Sequence, residues 1–227
     1  AFDDAFAYDG DLGAIYTPQA TTFKVWAPTA NKVDFLVFEG DEIVERTPMT
    51  LGEKGVYSIE KTGDQLGLVY MYEVHVQDQV NQVVDPYAKS TTINGLRTVV
   101  VNPSPSKLPN PPTDLVKDPI YELHVRDLSN HPDSGIENKG KFLGLTEKGT
   151  KTSTGQITGL DYIKNLGVTH IQLLPIYDFS RYSIDETDPM AKFNWGYDPV
   201  NYNTPEGAYS TDPTNPMARI NELQAAI

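Results

Sequence analysis

Residues 69–77 read VYMYEVHVQ, with Tyr70, Tyr72, Val74 and Val76 on one side and Met71, Glu73, His75 and Gln77 on the other. This period-two alternation predicts a half-buried strand and leaves His75 as a surface residue on the polar face. Similar runs at 22–26, 33–38, 56–61 and 98–101 are separated by the turn-like stretches EGDE, LGEKG and TGDQLG. No segment of helical period interrupts them, so the first part of the chain reads as a β-sandwich of immunoglobulin-like size.

Prolines at 103, 105, 109, 111, 112 and 119 then crowd a short stretch. Proline cannot donate to a sheet ladder or sit inside a helix, and a run of them makes a stiff, extended connector. The expected division is a sandwich over 1–105, a Pro-rich linker over 106–118 and a second domain over 119–227. In that second domain the pattern changes. Residues 120–125 (IYELHV) read as a strand. Ile157, Leu160, Ile163 and Leu166 recur at helical spacing, and Gly167 stops the helix. Residues 168–174 (VTHIQLL) form the next strand, ended by Pro175. A strand, a helix and a nearly continuous apolar strand predict a right-handed crossover in a parallel sheet. A further helix is expected from Asn215 as N-cap, with Pro216 at its first position and Ile220, Leu223 and Ile227 on one face.

Connection lengths carry the first functional hint. The helix-to-strand link is about one residue at Gly167, whereas the strand-to-helix links run over 128–155 and 175–215. Long loops in compact domains tend to be functional. Both leave the same ends of their strands, which is where (β/α)8 barrels build active sites and where open α/β sheets also bind ligands.

Composition narrows the classes. The 227 residues are 39% hydrophobic and 22% charged, which is ordinary for a globular protein, and there is no cysteine, so disulfides and thiol chemistry are out. A net charge of −13 opposes binding to a phosphate backbone, and no apolar run reaches a bilayer-spanning length, so neither nucleic acid nor membrane is expected as a partner. The compartment is left open.

The loop over 175–215 holds eight aromatics, Tyr177, Phe179, Tyr182, Phe193, Trp195, Tyr197, Tyr202 and Tyr209, among seven acids, Asp178, Asp185, Glu186, Asp188, Asp198, Glu206 and Asp212. Aromatic faces suit the C–H face of a sugar, and carboxylates suit its hydroxyls. The other reading is that so long a loop needs a small core of its own. Acids at 185–188 offer oxygen to calcium, but a solvated acidic loop is the favoured reading, and no metal or other cofactor is expected.

The run FNWGYDPVNYNTPEGAYSTDP (193–213) resembles the type I pullulanases, the α-1,6-glucan debranching enzymes of the α-amylase superfamily (glycoside hydrolase family 13). Their YNWGYDP motif is matched by Phe193-Asn194-Trp195-Gly196-Tyr197-Asp198-Pro199, with phenylalanine for the first tyrosine. The resemblance extends through YDGDLGA (8–14), FKVWAPTA (23–30), DPYAKS (85–90), IYELHVRDLS (120–129) and GLDYIKNLGVTHIQLLPIYDF (159–179). It implies a multidomain β plus α/β chain: an immunoglobulin-like, starch-binding-like β-sandwich followed by the first β/α units of a catalytic (β/α)8 TIM barrel, incomplete in this chain.

By the same resemblance Tyr197, Asp198, Asn194 and Trp195 are the candidate substrate-binding residues. Tyr197 is expected to stack on the sugar before the scissile bond, Asp198 to shape that subsite, and Asn194 and Trp195 to hold the loop in shape. His124 and Arg126 are expected to be bonded to neighbours, with Arg126 or Asp127 a candidate for an ion-pair network at the barrel mouth. The mechanism implied is retaining hydrolysis by two carboxylates about 5 Å apart. Its catalytic residues fall beyond residue 227, so the pairing of Asp198 with Glu206 as acid and nucleophile is rejected and this chain alone is expected to be inactive. The expected partners are an α-glucan polysaccharide or branched maltooligosaccharide and the remainder of the barrel, in the same parent chain or as a noncovalent fragment. Two alternatives stand beside this. One is an α-glucan-binding or structural module without activity, for which Trp26 is an exposed-looking contact; the other is another debranching or branching enzyme of the superfamily.

Overall fold

The computed structural model describes residues 1–105 and 119–227; the expected linker at 106–118 lies outside the described residues. The chain divides into two compact units, residues 1–102 with 201–204, and residues 103–200 with 205–227.

The first unit opens with a short helix, α1 (Phe2–Phe6), and continues in strands: β1 (Gly13–Tyr16), β2 (Ala20–Trp26), β3 (Lys32–Glu39), β4 (Glu42–Pro48), β5 (Thr50–Leu51), β6 (Val56–Thr62), β7 (Val69–Val76), β8 (Gln79–Val83) and β9 (Thr98–Val99). They build one sheet in the order β1-β2-β6-β5 and a second in the order β4-β3-β7-β8, with β9 also on β7. The mostly-sheet, sandwich-like fold read from the alternation is present. Strands β1, β4, β5 and β8 were not legible; β4, β5 and β8 bury almost nothing and so carry little apolar period.

The core explains the alternation. Phe23 and Val25 of β2, Val33, Phe35 and Val37 of β3, and Tyr70 and Tyr72 of β7 point inward and are buried together. Phe23 packs on Phe35 at 4.4 Å between ring centroids and on Tyr70 at 4.8 Å. Burying two tyrosines leaves two hydroxyls to satisfy. Both donate to Oδ2 of buried Asp85, at 2.6 Å from Tyr70 and 3.0 Å from Tyr72. Burial raises the Asp85 pKa, against the pull of those hydroxyls and of the Tyr87 amide. The DPYAKS run is further tied by residues distant in sequence: Asn203 donates to the Pro86 carbonyl at 2.8 Å and Thr204 to that of Ala88 at 2.8 Å. Trp26 is 42% exposed, yet its indole N–H donates to the carbonyls of Phe6 and Lys54, each at 3.0 Å.

In the second unit β10 (Ile120–Leu123) pairs in parallel with β11 (His170–Leu173). Helix α3 (Gly159–Asn165) lies between them in sequence, giving the expected strand, helix and parallel strand. The boundaries differ from the pattern. The first strand stops at Leu123, since the chain turns at His124 into α2 (Val125–Ser129). The link from α3 to β11 is four residues rather than one, with Gly167 at φ 74° as the helix stop. Of the four apolar residues at helical spacing only Ile163 is buried, while Ile157 and Leu166 are exposed. Short strands β12 (Tyr177–Phe179) and β13 (Pro199–Pro205) interrupt the long loop, and α4 (Ala218–Ala226) follows. Asn215 does not cap α4 directly. Its Oδ1 accepts from the Met217 amide at 3.0 Å, an Asx turn that leads the chain through the N-cap Met217 into the helix at Ala218. No described helix is long and apolar enough to cross a membrane.

Candidate functional site

The site grows from His124, at the C-terminal end of β10. The ring is buried, and its Nε2 lies 2.8 Å from the Asn194 carbonyl oxygen and 3.3 Å from the Tyr209 hydroxyl. A carbonyl only accepts, so Nε2 carries the proton and donates to Asn194. Phe193 stacks on the imidazole at 5.3 Å, and the Arg126 guanidinium sits 5.8 Å from the Phe193 ring centre. Arg126 also donates to the carbonyls of Lys192 at 3.0 Å and Met190 at 3.2 Å. The loop over 190–194 thus hangs from two side chains that flank Val125. Phe193 makes these contacts through its ring, so they need no hydroxyl.

Asn194 then shapes the next turn. Its Oδ1 accepts from the Gly196 amide at 3.0 Å and its Nδ2 donates to Asp198 Oδ1 at 2.8 Å. The other Asp198 oxygen accepts from the Ser183 hydroxyl, and the Asp198 carbonyl accepts from the Ser180 amide at 3.2 Å. Gly196 has φ 87°, and a Cβ there would stand 2.6 Å from the Pro175 carbonyl oxygen, so the turn requires glycine twice over. The outcome is a braced loop with Tyr197 68% exposed and Trp195 59% exposed, the indole edge-on to Phe193 at 5.1 Å. The four predicted site residues fall into two kinds: Asn194 and Asp198 bond inward, and Trp195 and Tyr197 face solvent.

Both readings of the eight aromatics are realised. Phe179 and Tyr209 are buried with Val125, Phe142, Ile184 and Ala208 and form the loop's own core. Tyr177, Tyr182, Phe193, Trp195, Tyr197 and Tyr202 remain exposed.

Beneath the loop lies a network that the sequence did not reveal. Arg219 of α4 is fully buried, donating to Asp178 at 3.3 Å, to Glu186 at 3.2 Å and to the Pro205 carbonyl at 3.2 Å. Glu206 is 1% exposed and accepts from the amides of Phe179 at 2.9 Å and Ala208 at 2.7 Å. Burial first, and then the charges of Asp178 and Glu186, push its pKa well above the usual carboxylate range. Gly207 permits this packing, since a Cβ there would stand 2.4 Å from both Arg219 and Glu186. Lys141 adds a second cation and donates to the Ala208 carbonyl at 2.8 Å; burial lowers its pKa against the pull of Glu222, Glu186 and Glu206. Asp178, Glu186 and Glu206 converge closely enough to hold a cation, and the cation the fold supplies is the Arg219 guanidinium. The acids at 185–188 divide accordingly. Asp185 accepts from the Thr187 amide at 2.9 Å in an Asx turn, and Glu186 points inward to Arg219. The density of acids was the only sequence signal for this network.

The sandwich-like unit resembles a known class of carbohydrate-binding modules. Residues 11–88 match the model of carbohydrate-binding module 48, the isoamylase N-terminal domain. Along its whole length the chain is homologous to the type I pullulanases. It is 44% identical to a pullulanase of Bacillus subtilis strain 168, covering 100% of this chain and 32% of that one. It is 49% identical, at a TM-score of 0.93, to the crystal structure of a Paenibacillus barengoltzii pullulanase in complex with maltohexaose and α-cyclodextrin, covering 100% of this chain and 37% of that one. Isoamylase 1 of rice is more distant at 27% identity, covering 95% of this chain. The chain therefore spans about a third of the length of these two pullulanases.

Proposed function

We propose that this chain is part of a pullulanase-type debranching enzyme that hydrolyses α-1,6-glucosidic branch linkages in pullulan, starch or glycogen limit dextrins. The observation that carries this is Tyr197, presented outward on a loop that the inward-bonded Asn194 and Asp198 brace. A rigid, exposed aromatic face costs little ordering to bind a sugar ring. In this reading Tyr197 and Trp195 form the platform, while Asn194 and Asp198 fix its height. The complexes of relatives with maltohexaose, maltotriose and maltotetraose support an α-glucan as the ligand.

The same reading assigns β10, α3 and β11 to the opening of a (β/α)8 barrel, with the division into 1–105, 106–118 and 119–227 kept. It is supported by the parallel pairing and by an apolar hollow of about 270 Å³ whose lining includes Leu128, Leu160, Ile163, Ile171 and Leu173. The rest of such a barrel would cover that hollow and supply the acid and the nucleophile of retaining hydrolysis. Glu206 stays outside that chemistry because it is buried beneath the loop. The test is release of reducing sugar from pullulan: none from this chain alone, and release from the longer enzyme that falls sharply in Tyr197→Ala. Reducing sugar released by this chain alone would overturn the assignment of the chemistry to other residues.

A second reading, glucan binding by the sandwich, is favoured by the module matched over residues 11–88. Retardation on immobilised α-glucan checks it, and unretarded passage would leave the sandwich a structural brace.

A further inference from the structure

On the outer face of the second sheet, β3 and β7 run antiparallel with Asp34 opposite Glu73 and Lys32 opposite His75. Alternation turns these four side chains away from Val33, Phe35 and Tyr72 in the core. Asp34 is only 1% exposed, and its Oδ1 accepts no hydrogen bond among the described residues. His75 Nε2 also makes none, although it lies 3.4 Å from Asp34 Oδ2 and 3.3 Å from Glu73 Oε1. Buried polar atoms are normally paired, so Asp34 Oδ1 and His75 Nε2, both without a hydrogen-bond partner in a cluster whose facing carboxylate oxygens are held only by half-exposed cations, ask for a ligand.

The spacing identifies the ligand. Zinc binds imidazole nitrogen and carboxylate oxygen at ~2.0–2.2 Å in a tetrahedron, whose edge is about 1.6 times the bond, or ~3.3–3.5 Å. Both measured distances from His75 fall on that edge. The third pair, between the two carboxylates, also lies within reach, at no more than 4.8 Å. Gln82 donates to the outer oxygen of Glu73 at 3.1 Å and so orients the carboxylate from behind, as a supporting residue does at a metal centre. One imidazole and two carboxylates form a borderline donor set, suited to zinc rather than to calcium, which takes six to eight oxygens.

We propose that Asp34, Glu73 and His75 form a zinc site on the outer face of the sandwich, with water completing the four-coordinate shell. In its absence Lys32 lies 2.7 Å from Asp34 Oδ2, and Arg46 pairs with Glu73 Oε1. These two cations occupy the oxygens that face His75. Both are about half exposed, so both can swing into solvent when one dication replaces them. Zinc would staple β3 to β7 across their register, independently of any glucan site.

The experiment is calorimetric titration of the whole chain with zinc chloride in a buffer that does not chelate. The expected result is one saturable site that weakens more than roughly tenfold in His75→Ala, weakens comparably in Asp34→Asn, and tightens in Lys32→Ala. His75 sits at the rim, so its variant keeps the fold, which far-ultraviolet circular dichroism verifies. Zinc should also raise the melting temperature of the native chain and not that of His75→Ala. Equal zinc affinity in the native chain and His75→Ala, or no saturable binding at millimolar zinc, overturns the proposal. The remaining histidines, His124, His131 and His170, lie in the other unit, and unaltered affinity in the variant would assign the binding to them.

Discussion

His124 donates from Nε2 to the carbonyl of Asn194, 70 residues further along the chain, at 2.8 Å. This bond joins the end of a strand to the loop that presents Tyr197. The imidazole is also sandwiched between Phe193 and an edge-on contact with Tyr209. His124→Ala therefore removes a buried hydrogen bond and leaves a cavity against two rings, at a cost of about 2–4 kcal/mol. Urea unfolding of the native chain and the variant checks this. A loss under about 0.5 kcal/mol would mean that the loop holds its shape without the imidazole.

Tyr197 should behave in the opposite way. With 68% of its surface exposed, its truncation to alanine leaves stability within about 0.5 kcal/mol. In the longer enzyme the same change should lower turnover on pullulan by more than about tenfold, equivalent to about 1.4 kcal/mol of transition-state stabilisation. Tyr197→Phe retains the stacking face and should retain most of the activity. Equal losses in the two variants would transfer the role from the ring to the hydroxyl.

Arg219 is the keystone of the buried network, with Asp178 and Glu186 on its guanidinium. Replacing it by methionine leaves buried carboxylates without their counterion, which costs about 3–5 kcal/mol. Lysine restores the charge without the planar fork that reaches both acids and the Pro205 carbonyl, so Arg219→Lys should recover less than half of the loss. Melting temperatures of the three proteins decide this, and full recovery by lysine would show that charge alone matters at this position.

What was legible in the sequence follows from what each element buries. Strands β2, β3, β6 and β7 all feed one core, β2 and β7 through alternate side chains and β3 as a run of six buried residues, so they were visible; β4 and β8 lie at a sheet edge and expose most of their side chains. The motif carrying Tyr197 could be found as a local string, because Asn194, Gly196 and Asp198 act on one another within four residues. The partners of that string could not. His124, Arg126 and Ser183 reach it from remote positions, and Arg219 meets Asp178 across 41 residues. No spacing rule joins such positions; only the fold brings them together.

The pH dependence of stability should isolate Glu206. Its folded pKa is raised because the carboxyl is buried beside Asp178 and Glu186, against the pull of the Phe179 and Ala208 amides. A raised carboxyl pKa means that the folded state holds a proton which the unfolded chain has released. Between the ordinary carboxylate range near pH 4.5 and the raised value, the unfolding free energy therefore falls as pH rises, by up to about 1.4 kcal/mol per pH unit for one proton. Asp133 and Glu147 act with the opposite sign. Hydrogen bonds from Ser153 lower the pKa of the first; for the second, burial raises it and bonds from the amides of Asn138 and Glu137 more than offset the rise. Their stabilisation is present above the ordinary range and is lost on acidification. Subtracting the curve of Glu206→Gln from that of the native chain cancels these shared terms. The stability of the variant relative to the native chain should increase with pH across this window and level off above it. A flat difference from pH 4 to 8 would mean that Glu206 is not protonated in the folded chain, and a difference of opposite slope would mean that its two amide donors hold it ionised.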